Sequence, residues 1–207
     1  LQWWYIEVSP SDLLADGEDR MGHNLKRLFS ETRDLEETVI FIDEFEEIAA
    51  KRDNASRRDK SITNEFLKQV PLFRREMRKN LLVCATNYIR ELDAALIRPG
   101  RFDCIIPVGD LDHNSRSLIF RHFLARTNHG EVDVNEVVSA LSFFTPADIE
   151  YLFHKVSQYA FEKEYREGRN FEITTATFKD IISECQPSLT AENIRELEMD
   201  SEEFTRY

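Results

Sequence analysis

The feature that most constrains the fold of this chain is an uninterrupted apolar run, 39–42, that leads directly into two carboxylates, Asp43 and Glu44. A parallel strand covered by helices on both sides needs such a run, because neither of its faces meets water. Ligands of open parallel sheets collect at the carboxyl ends of the strands, which is where these carboxylates lie. Since successive strand residues point to opposite sides, one carboxylate can face a metal-bound phosphate while its neighbour faces an attacking water.

A second apolar run, 81–86, ends in an amide, Asn87, and a Pro-Gly turn farther along carries Arg98 and Arg101. Hydrophobic strands that end in acidic residues are common, so the first run alone leaves a nucleotide site and an ordinary strand end as equal alternatives. If the two strands are neighbours, Asn87 lies beside Glu44 and can hold the same water molecule. The planar, permanently charged guanidinium groups match phosphate oxygens, which favours the nucleotide site.

Three segments, in this order and at these separations, resemble motifs of the classical AAA family of ATPases. They are 39–44, which resembles the Walker B motif, 85–87, which resembles the sensor-one segment, and 98–103, which resembles the second region of homology. The last of these is the most specific signal. The resemblance continues through nearly all 207 residues: 112–126 and 143–150 are similar to parts of the small helical domain of the family, and 187–207 is similar to the extra carboxyl-terminal helix of its valosin-like and katanin-like branch.

The resemblance implies a role for each residue of a candidate catalytic site. Asp43 would hold Mg²⁺, Glu44 would orient and polarise the attacking water, and Asn87 would position that water. Arg98 and Arg101 would reach the phosphate bound in a neighbouring subunit. An arginine supplied in this way stabilises the charge that develops in phosphoryl transfer, so a single subunit is expected to be nearly inactive.

The residues similar to the adenine contacts of the family are Ile119, Phe123 and Ala147. In the family, the small domain closes over the base and moves during the catalytic cycle. Ordinary core packing explains the same spacing equally well, so both interpretations stay open. Pro146 replaces a glycine of the family pattern, which argues against a backbone contact with the base at this position.

A change in the hydrophobic period divides the chain near 109. Strand-like runs alternate with helical patterns in 1–109, which predicts an α/β parallel sheet, and helical patterns follow in 110–186, which predict a small all-α unit. The resemblance implies that the first segment is a P-loop NTPase-type parallel sheet with helices on both faces, that the second is the helical lid domain, and that 187–207 forms a separate helix or tail. The predicted strands are 3–8, 39–43, 81–86 and 104–108; the predicted helices are 20–33, 61–78, 114–126, 134–141, 146–167 and 175–184, the last four with Asn114, Thr145 and Thr174 among their caps.

The sequence contains no Gly-x-x-x-x-Gly-Lys-Ser/Thr, the phosphate-cradling loop that supplies most of the triphosphate binding in the resembled family. The run 3–8 is similar to the second strand of the family, so we expect the first strand and its loop about 30 residues upstream of Leu1. Without that central strand, unpaired backbone groups would cost several kcal/mol. We therefore expect a fragment of a longer polypeptide, or another segment that fills the gap.

Composition narrows the possible partners. A formal net charge of -12 argues against nonspecific binding to nucleic acid or anionic membranes. The sequence has no apolar run near the roughly 20 residues that a membrane span requires. Cys84, Cys104 and Cys185 are far apart and lack metal-type spacing, so buried, reduced thiols in a cytoplasmic protein are expected.

Together these features predict an ATPase, with ATP and Mg²⁺ as cofactors. The resemblance implies a homo-oligomeric, hexameric ring that hydrolyses ATP at its subunit interfaces and remodels a protein partner; the fragment alone is expected to be inactive. The alternative is a nucleotide-responsive assembly or scaffold module with little hydrolysis. The aromatic pore loop of the family is replaced by 14–20, which has no aromatic residue, so threading of a polypeptide is a weaker expectation than hydrolysis. The charged loop 52–60 is expected to lie on the surface.

Overall fold

The computed structural model describes residues 2–49, 57–76 and 79–206. It divides the chain into two compact units, Leu1–Ile106 with Phe204–Tyr207, and Pro107–Glu203. The carboxyl-terminal residues therefore group with the first unit, whereas the sequence assigned them to a separate tail. The domain boundaries at 109 and 186 remain predictions.

A parallel three-stranded sheet forms the centre of the first unit. Its strands are β1 (Trp4–Val8), β2 (Thr38–Ile42) and β3 (Asn80–Cys84), in the order β1-β2-β3. The register pairs Val8 with Ile42 and Ile42 with Cys84, so the three carboxyl ends lie side by side. The predicted α/β class is confirmed, and so is the expectation that the strand before Asp43 and the strand before Asn87 are neighbours.

The helices of this unit are α1 (Pro10–Leu14), α2 (Met21–Glu31), α3 (Phe45–Ala49) and α4 (Arg57–Glu76), with short 3₁₀ turns at Glu18–Arg20 and Ile89–Glu91. Helix α1 begins at a capping box in which Ser9 and Asp12 bind each other's backbone amides. Phe45 and Phe66 are buried in the core, edge to face, with ring centroids 5.1 Å apart. The predicted surface loop 52–60 lies partly outside the described residues, and its last four residues belong to α4.

The core of this unit packs against one face of the sheet, where Ile40 and Ile42 are completely buried. On the other face Tyr5 is 59% exposed and Leu81 is 50% exposed. The ring of Phe41 stacks there on Tyr5, with centroids 6.1 Å apart. The sequence predicts helices on both faces; within the part of the chain that the structure describes, the second face stays accessible.

The fourth predicted strand, 104–108, is wrong. Only Ile105 pairs with another segment, through an antiparallel bridge to Arg206, while Ile106 and Val108 are 66% and 87% exposed. An apolar run becomes a strand only when a neighbouring backbone pairs with it, and no described residue extends the sheet beyond the outer edge of β3. The prediction that Cys104 is buried is wrong for the same reason, since that thiol is exposed.

The second unit is helical, as expected. Its helices are α5 (His113–Leu124), α6 (Val134–Ser139), α7 (Pro146–Glu167), α8 (Thr175–Ser183) and α9 (Ala191–Phe204), whose last residue belongs to the first unit. Phe120, Phe153 and Phe178 form the centre of its core, with pairwise centroid distances of 4.9 to 5.2 Å. None of the helices described in either unit has the long apolar stretch that crossing a bilayer requires.

The caps predicted for two of these helices are confirmed, and one is wrong. Thr145 caps α7 and Thr174 caps α8. Helix α5 is capped by Asp112 rather than by Asn114, because it begins earlier than predicted; the Asp112 carboxylate accepts the Ser115 amide at 2.6 Å. An aspartate two residues upstream competes effectively for the cap, since its ionised oxygen accepts a charge-assisted hydrogen bond.

Asp148, in the first turn of α7, joins the segment after α8 to the start of α7. Its carboxylate accepts hydrogen bonds from the hydroxyl of Ser188 at 2.5 Å, the amide of Ser188 at 3.1 Å and the amide of Thr145 at 2.8 Å. Burial alone would raise the pKa of Asp148, but these donors outweigh it and lower the pKa below its ordinary value.

Replacing Asp148 by asparagine is expected to lower the free energy of unfolding by about 1–2 kcal/mol at neutral pH. Because the folded-state pKa is depressed, the stabilisation is complete above the unfolded-state pKa of about 3.9 and is lost as the pH falls through the folded value. Chemical denaturation at about pH 6 and pH 2.5 should therefore show a large difference between wild type and variant that shrinks on acidification. Asp180→Asn, on the exposed side of α8, is the control; a difference independent of pH contradicts this account.

Candidate functional site

A β-bulge presents Asp43 and Glu44 at the carboxyl end of β2. The amide of Ala85 donates to the carbonyl of Ile42, and the amide of Phe45 donates to the carbonyl of Ala85, both at 2.9 Å. Two residues of one strand thus stand opposite one residue of the other, as in a bulge. The amide of Glu44, which a regular ladder would use, donates to Asp43 Oδ1 at 2.9 Å. The strict alternation that the sequence predicts here is therefore replaced by a bulge.

Glu44 has a left-handed backbone, with φ of +48°. A residue with a side chain occupies this region at a cost of about 1 kcal/mol or more, and it stays there only when its surroundings fix it. Here the bond from Phe45 to Ala85 and the burial of the Phe45 ring fix the backbone on the far side of the bulge. The carboxylates of Asp43 and Glu44 are both exposed, so the bulge holds them available to a ligand.

Asn87 follows β3 at the same edge of the sheet, with an exposed side chain. Its amide nitrogen lies 3.5 Å from Glu46 Oε1, on the first turn of α3. The other oxygen, Glu46 Oε2, is buried and makes no hydrogen bond with any described residue. Glu46 is therefore a site residue that the sequence analysis missed. Four of the five residues 43–47 are acidic, and the sequence does not show which of their side chains faces the segment after β3. The direction of α3 determines that.

Asp43 also acts electrostatically on Tyr5, which lies on the accessible face of β1. Partial burial raises the pKa of Tyr5, and the negative charges of Glu7 and Asp43 raise it further. The described residues contain no cluster of three His, Cys, Asp or Glu side chains that could hold a metal by themselves. Mg²⁺ usually binds through one or two carboxylates together with water and substrate phosphates, and the exposed carboxylate of Asp43 fits that kind of site.

The two predicted phosphate-binding arginines lie on residues 97–103, here called the arginine loop. The loop follows Leu92 and Leu96, whose buried side chains anchor its start in the core. The amide of Asp93 donates to the carbonyl of Ala49, at the end of α3, at 3.1 Å. The base of the arginine loop is thus attached to the helix that begins at the bulge.

Arg98 and Arg101 have different environments. Arg98 is exposed, whereas Arg101 is partly buried and its guanidinium donates to the carbonyl of Ala95 on its own side of the loop. No hydrogen bond or ion pair among the described residues joins either arginine to Asp43 or Glu44. The structure thus places the carboxylates and the arginines on separate elements of one unit, which is compatible with arginines that act on another subunit.

The far side of the arginine loop is fixed by a turn at Gly100. Its φ of +91° is readily available only to glycine, and its amide donates to Asp103 Oδ1 at 3.1 Å. The other oxygen of Asp103 lies 3.1 Å from Arg74 Nε, near the end of α4. The backbone between the two arginines is therefore fixed in a single turn.

The residues predicted near adenine lie in the helical unit. Ile119 is partly buried against its core, the ring of Phe123 lies 5.6 Å from that of Phe153, and Ala147 is exposed. A cavity of about 160 Å³ between α5 and α7 is lined by Phe123 and His154, among others, but not by Ile119 or Ala147. Core packing accounts for Ile119 and Phe123 within this unit, and their contact with a base remains a prediction.

Comparison with known proteins places these features in a family. The profile of the ATPase family associated with various cellular activities (AAA) matches residues 1–110. The chain is 24% identical to a cell division cycle protein 48 homolog of Archaeoglobus fulgidus over 98% of the chain and 29% of that protein. It is 27% identical to a proteasome-activating nucleotidase of Methanococcus vannielii, over 86% of the chain and 43% of that protein. It is 31% identical to a probable 26S proteasome regulatory subunit 10B of Caenorhabditis elegans, over 77% of the chain and 40% of that protein.

The chain spans less than half the length of each of these relatives. The family match nevertheless includes the bulge at Asp43 and Glu44, Asn87 and the whole arginine loop. Because this match covers more than half of the 207 residues, the chain belongs to the AAA family of ATPases.

Proposed function

We propose that the protein containing this chain hydrolyses ATP, with Mg²⁺, at the subunit interfaces of a homo-oligomeric ring, and that it uses the energy to remodel a protein partner. The observation that carries this proposal is the bulge, which holds Glu44 in a strained backbone next to Asp43, at the edge of the sheet where Asn87 follows β3. Membership of the AAA family supports it, and so do relatives whose names denote a nucleotidase and a proteasome regulatory subunit.

Asp43, Glu44 and Asn87, at the carboxyl edge of the sheet, would each have a separate role in hydrolysis. Asp43 would hold Mg²⁺, which neutralises the charge of the triphosphate oxygens when bound. Glu44 would orient and polarise the attacking water, and the Asn87 amide would fix that water with a hydrogen bond. Glu46 would support this arrangement, since its carboxylate contacts the backbone amide of Asn87 in the segment that follows β3.

Arg98 and Arg101 would act on the phosphate of a neighbouring subunit. The exposed Arg98 is available without rearrangement, whereas Arg101 would exchange its bond to Ala95 for a phosphate oxygen. This exchange is favourable because a neutral carbonyl is replaced by a multiply charged acceptor. A hexamer is the ring that we propose, and the three free cysteines agree with a cytoplasmic location.

The second candidate function is a nucleotide-responsive assembly module with little hydrolysis. One observation favours it: Arg101 is engaged within its own subunit, so the conformation described is not one that acts in hydrolysis. Against it stands the strained bulge, because a scaffold gains nothing from holding Glu44 in an unfavourable backbone.

ATP turnover of the full-length protein, measured against protein concentration with and without Mg²⁺, tests the proposal. The specific activity is expected to rise with concentration, because each site needs the arginines of a neighbour, and to vanish when the metal is chelated. The phosphate-cradling loop is not among these 207 residues, so the assay uses the whole protein. A negligible rate over the whole concentration range would favour the assembly module.

A further inference from the structure

Arg206, two residues beyond the end of α9, binds both ends of the arginine loop. Its guanidinium Nη2 donates to the carbonyl of Ile97, and also to the carbonyl of Phe102 at 3.1 Å. These two carbonyls flank Arg98 and Arg101 in the sequence. One cation thus holds together the two ends of the segment that carries both arginines, although it is 109 and 104 residues away along the chain.

The backbone of Arg206 is held independently of its side chain. Its amide donates to the carbonyl of Ile105 at 3.1 Å, and its carbonyl accepts the amide of Ile105 at 2.8 Å. The guanidinium of Arg90 lies 5.6 Å from the centre of the Phe204 ring, which adds a cation–π contact to the same segment. A substitution that changes only the Arg206 side chain therefore leaves the segment paired.

The Arg206 side chain is partly withdrawn from solvent. Its Nε is buried without a hydrogen-bond partner among the described residues. Burying a charged donor without a partner is unfavourable, so the two carbonyl bonds must compensate for it. A surface arginine that merely improved solubility would not be placed in this way.

The arginine loop is thus held from two directions. Asp103 and Arg74 hold the outer turn at Gly100, while Arg206 holds the two ends of the loop. Both bonds come from one nitrogen, Nη2, whose two hydrogens lie in the guanidinium plane. Two acceptors on that nitrogen allow less movement than a single acceptor would, because both must keep their position relative to the plane.

We propose that Arg206 is a positioning residue for the arginine loop and sets the orientation from which Arg98 and Arg101 reach the nucleotide of the neighbouring subunit. This inference rests on the proposed function. Its distinctive consequence is that the loss of Arg206 impairs the site of the neighbour and leaves the nucleotide site of its own subunit intact. A displacement of about 1 Å in a catalytic group lowers a rate by up to about 100-fold, which sets the expected scale.

The test begins with Arg206→Met in the full-length protein, which keeps an unbranched side chain but removes both donor bonds. Its kcat for ATP is expected to fall about 10- to 100-fold, with little change in nucleotide binding. Arg206→Lys, which keeps the charge and donors but replaces the planar group by a tetrahedral ammonium, is expected to recover part of the rate. The control is Arg195→Ala, an exposed arginine of α9, which should leave kcat unchanged.

Mixing subunits separates positioning from a general loss of structure. Glu44→Gln subunits lack the water-polarising carboxylate but have an intact arginine loop. When such a subunit is the neighbour of an Arg206→Met subunit, its well-positioned arginines can act on the nucleotide bound by the Arg206→Met subunit. Mixing the two impaired variants is therefore expected to raise turnover above that of either alone, at sites that combine Glu44 of one subunit with the arginines of the other. A merely structural role of Arg206, confined to its own subunit, predicts no recovery.

The outcomes distinguish this inference from the function on which it rests. Suppose that Arg101→Ala loses its turnover as expected. The positioning role is then wrong if Arg206→Met keeps the wild-type kcat, or if mixing the variants does not raise turnover. If Arg101→Ala keeps its turnover, the interfacial function itself is wrong. If Arg206→Met lowers the unfolding midpoint, the same experiments are carried out with Arg206→Lys instead.

Discussion

Replacing Arg101 by alanine is expected to lower ATP turnover at least about 1,000-fold while nucleotide binding is retained, because an arginine finger supplies that much transition-state stabilisation. The charge that develops on the transferred phosphoryl group is met by Arg101 only in the transition state, so kcat falls rather than affinity. Steady-state turnover of the full-length protein, together with binding of a fluorescent nucleotide, measures the two quantities separately.

The bond from Arg101 to Ala95 makes a second variant necessary, since alanine also removes that structural contact. Arg101→Lys keeps a positive charge and a donor for the Ala95 carbonyl, but it lacks the planar fork that matches phosphate oxygens. We expect the lysine variant to keep the wild-type unfolding midpoint and still lose most of its turnover. Arg169→Ala, which removes an exposed arginine paired with Glu167, is the control. Equal turnover in Arg101→Ala and Arg169→Ala would exclude the finger role.

The parts of the structure that the sequence predicts well depend on local patterns. The extent of α7 follows from the Thr145 cap and the proline after it, and the structure confirms both of its ends. That β2 and β3 are adjacent could be predicted because two apolar runs with polar ends are typical of neighbouring parallel strands.

The parts that the sequence does not predict depend on distant partners. The bulge at Glu44 exists because Ala85, 41 residues away in the sequence numbering, pairs with both Ile42 and Phe45. The segment 104–108 has strand-like composition but lacks a partner along most of its length. The contact between Arg206 and Ile97 joins residues 109 positions apart, a distance at which no periodicity gives a signal.

Backbone strain alone does not identify the site. Among the described residues, Glu37 and Phe143 also have a positive φ, at 55° and 68°. Both lie in turns that precede a regular element, β2 in one case and α7 in the other. Glu44 differs because its strain occurs at the carboxyl edge of a parallel sheet, where ligands bind, and its side chain is an exposed carboxylate.

Glu44→Gln should therefore lose turnover without losing stability. The amide side chain keeps the size and the backbone of the native residue, but it accepts no proton and polarises water weakly, so kcat should fall about 100- to 10,000-fold. ATP binding should persist, because the phosphates and metal are held by other groups. Glu47→Gln, three residues farther along and exposed on α3, is the matched control; a turnover for Glu44→Gln equal to that of this control would contradict the assigned role.

Glu44→Gly tests why the strain is kept. Glycine adopts a φ of +48° without steric cost, which relieves about 1 kcal/mol of strain, and its greater loss of backbone entropy offsets about 0.5–1 kcal/mol of that gain. The free energy of unfolding should therefore be equal to that of wild type or slightly higher. The variant should nevertheless be as inactive as Glu44→Gln. Equal or greater stability with less activity would show that the bulge holds a carboxylate where the backbone alone would favour glycine, which is the pattern expected of a functional residue. If the glycine variant is instead less stable, the side chain of Glu44 contributes to folding, and the strain is not evidence for its role in hydrolysis.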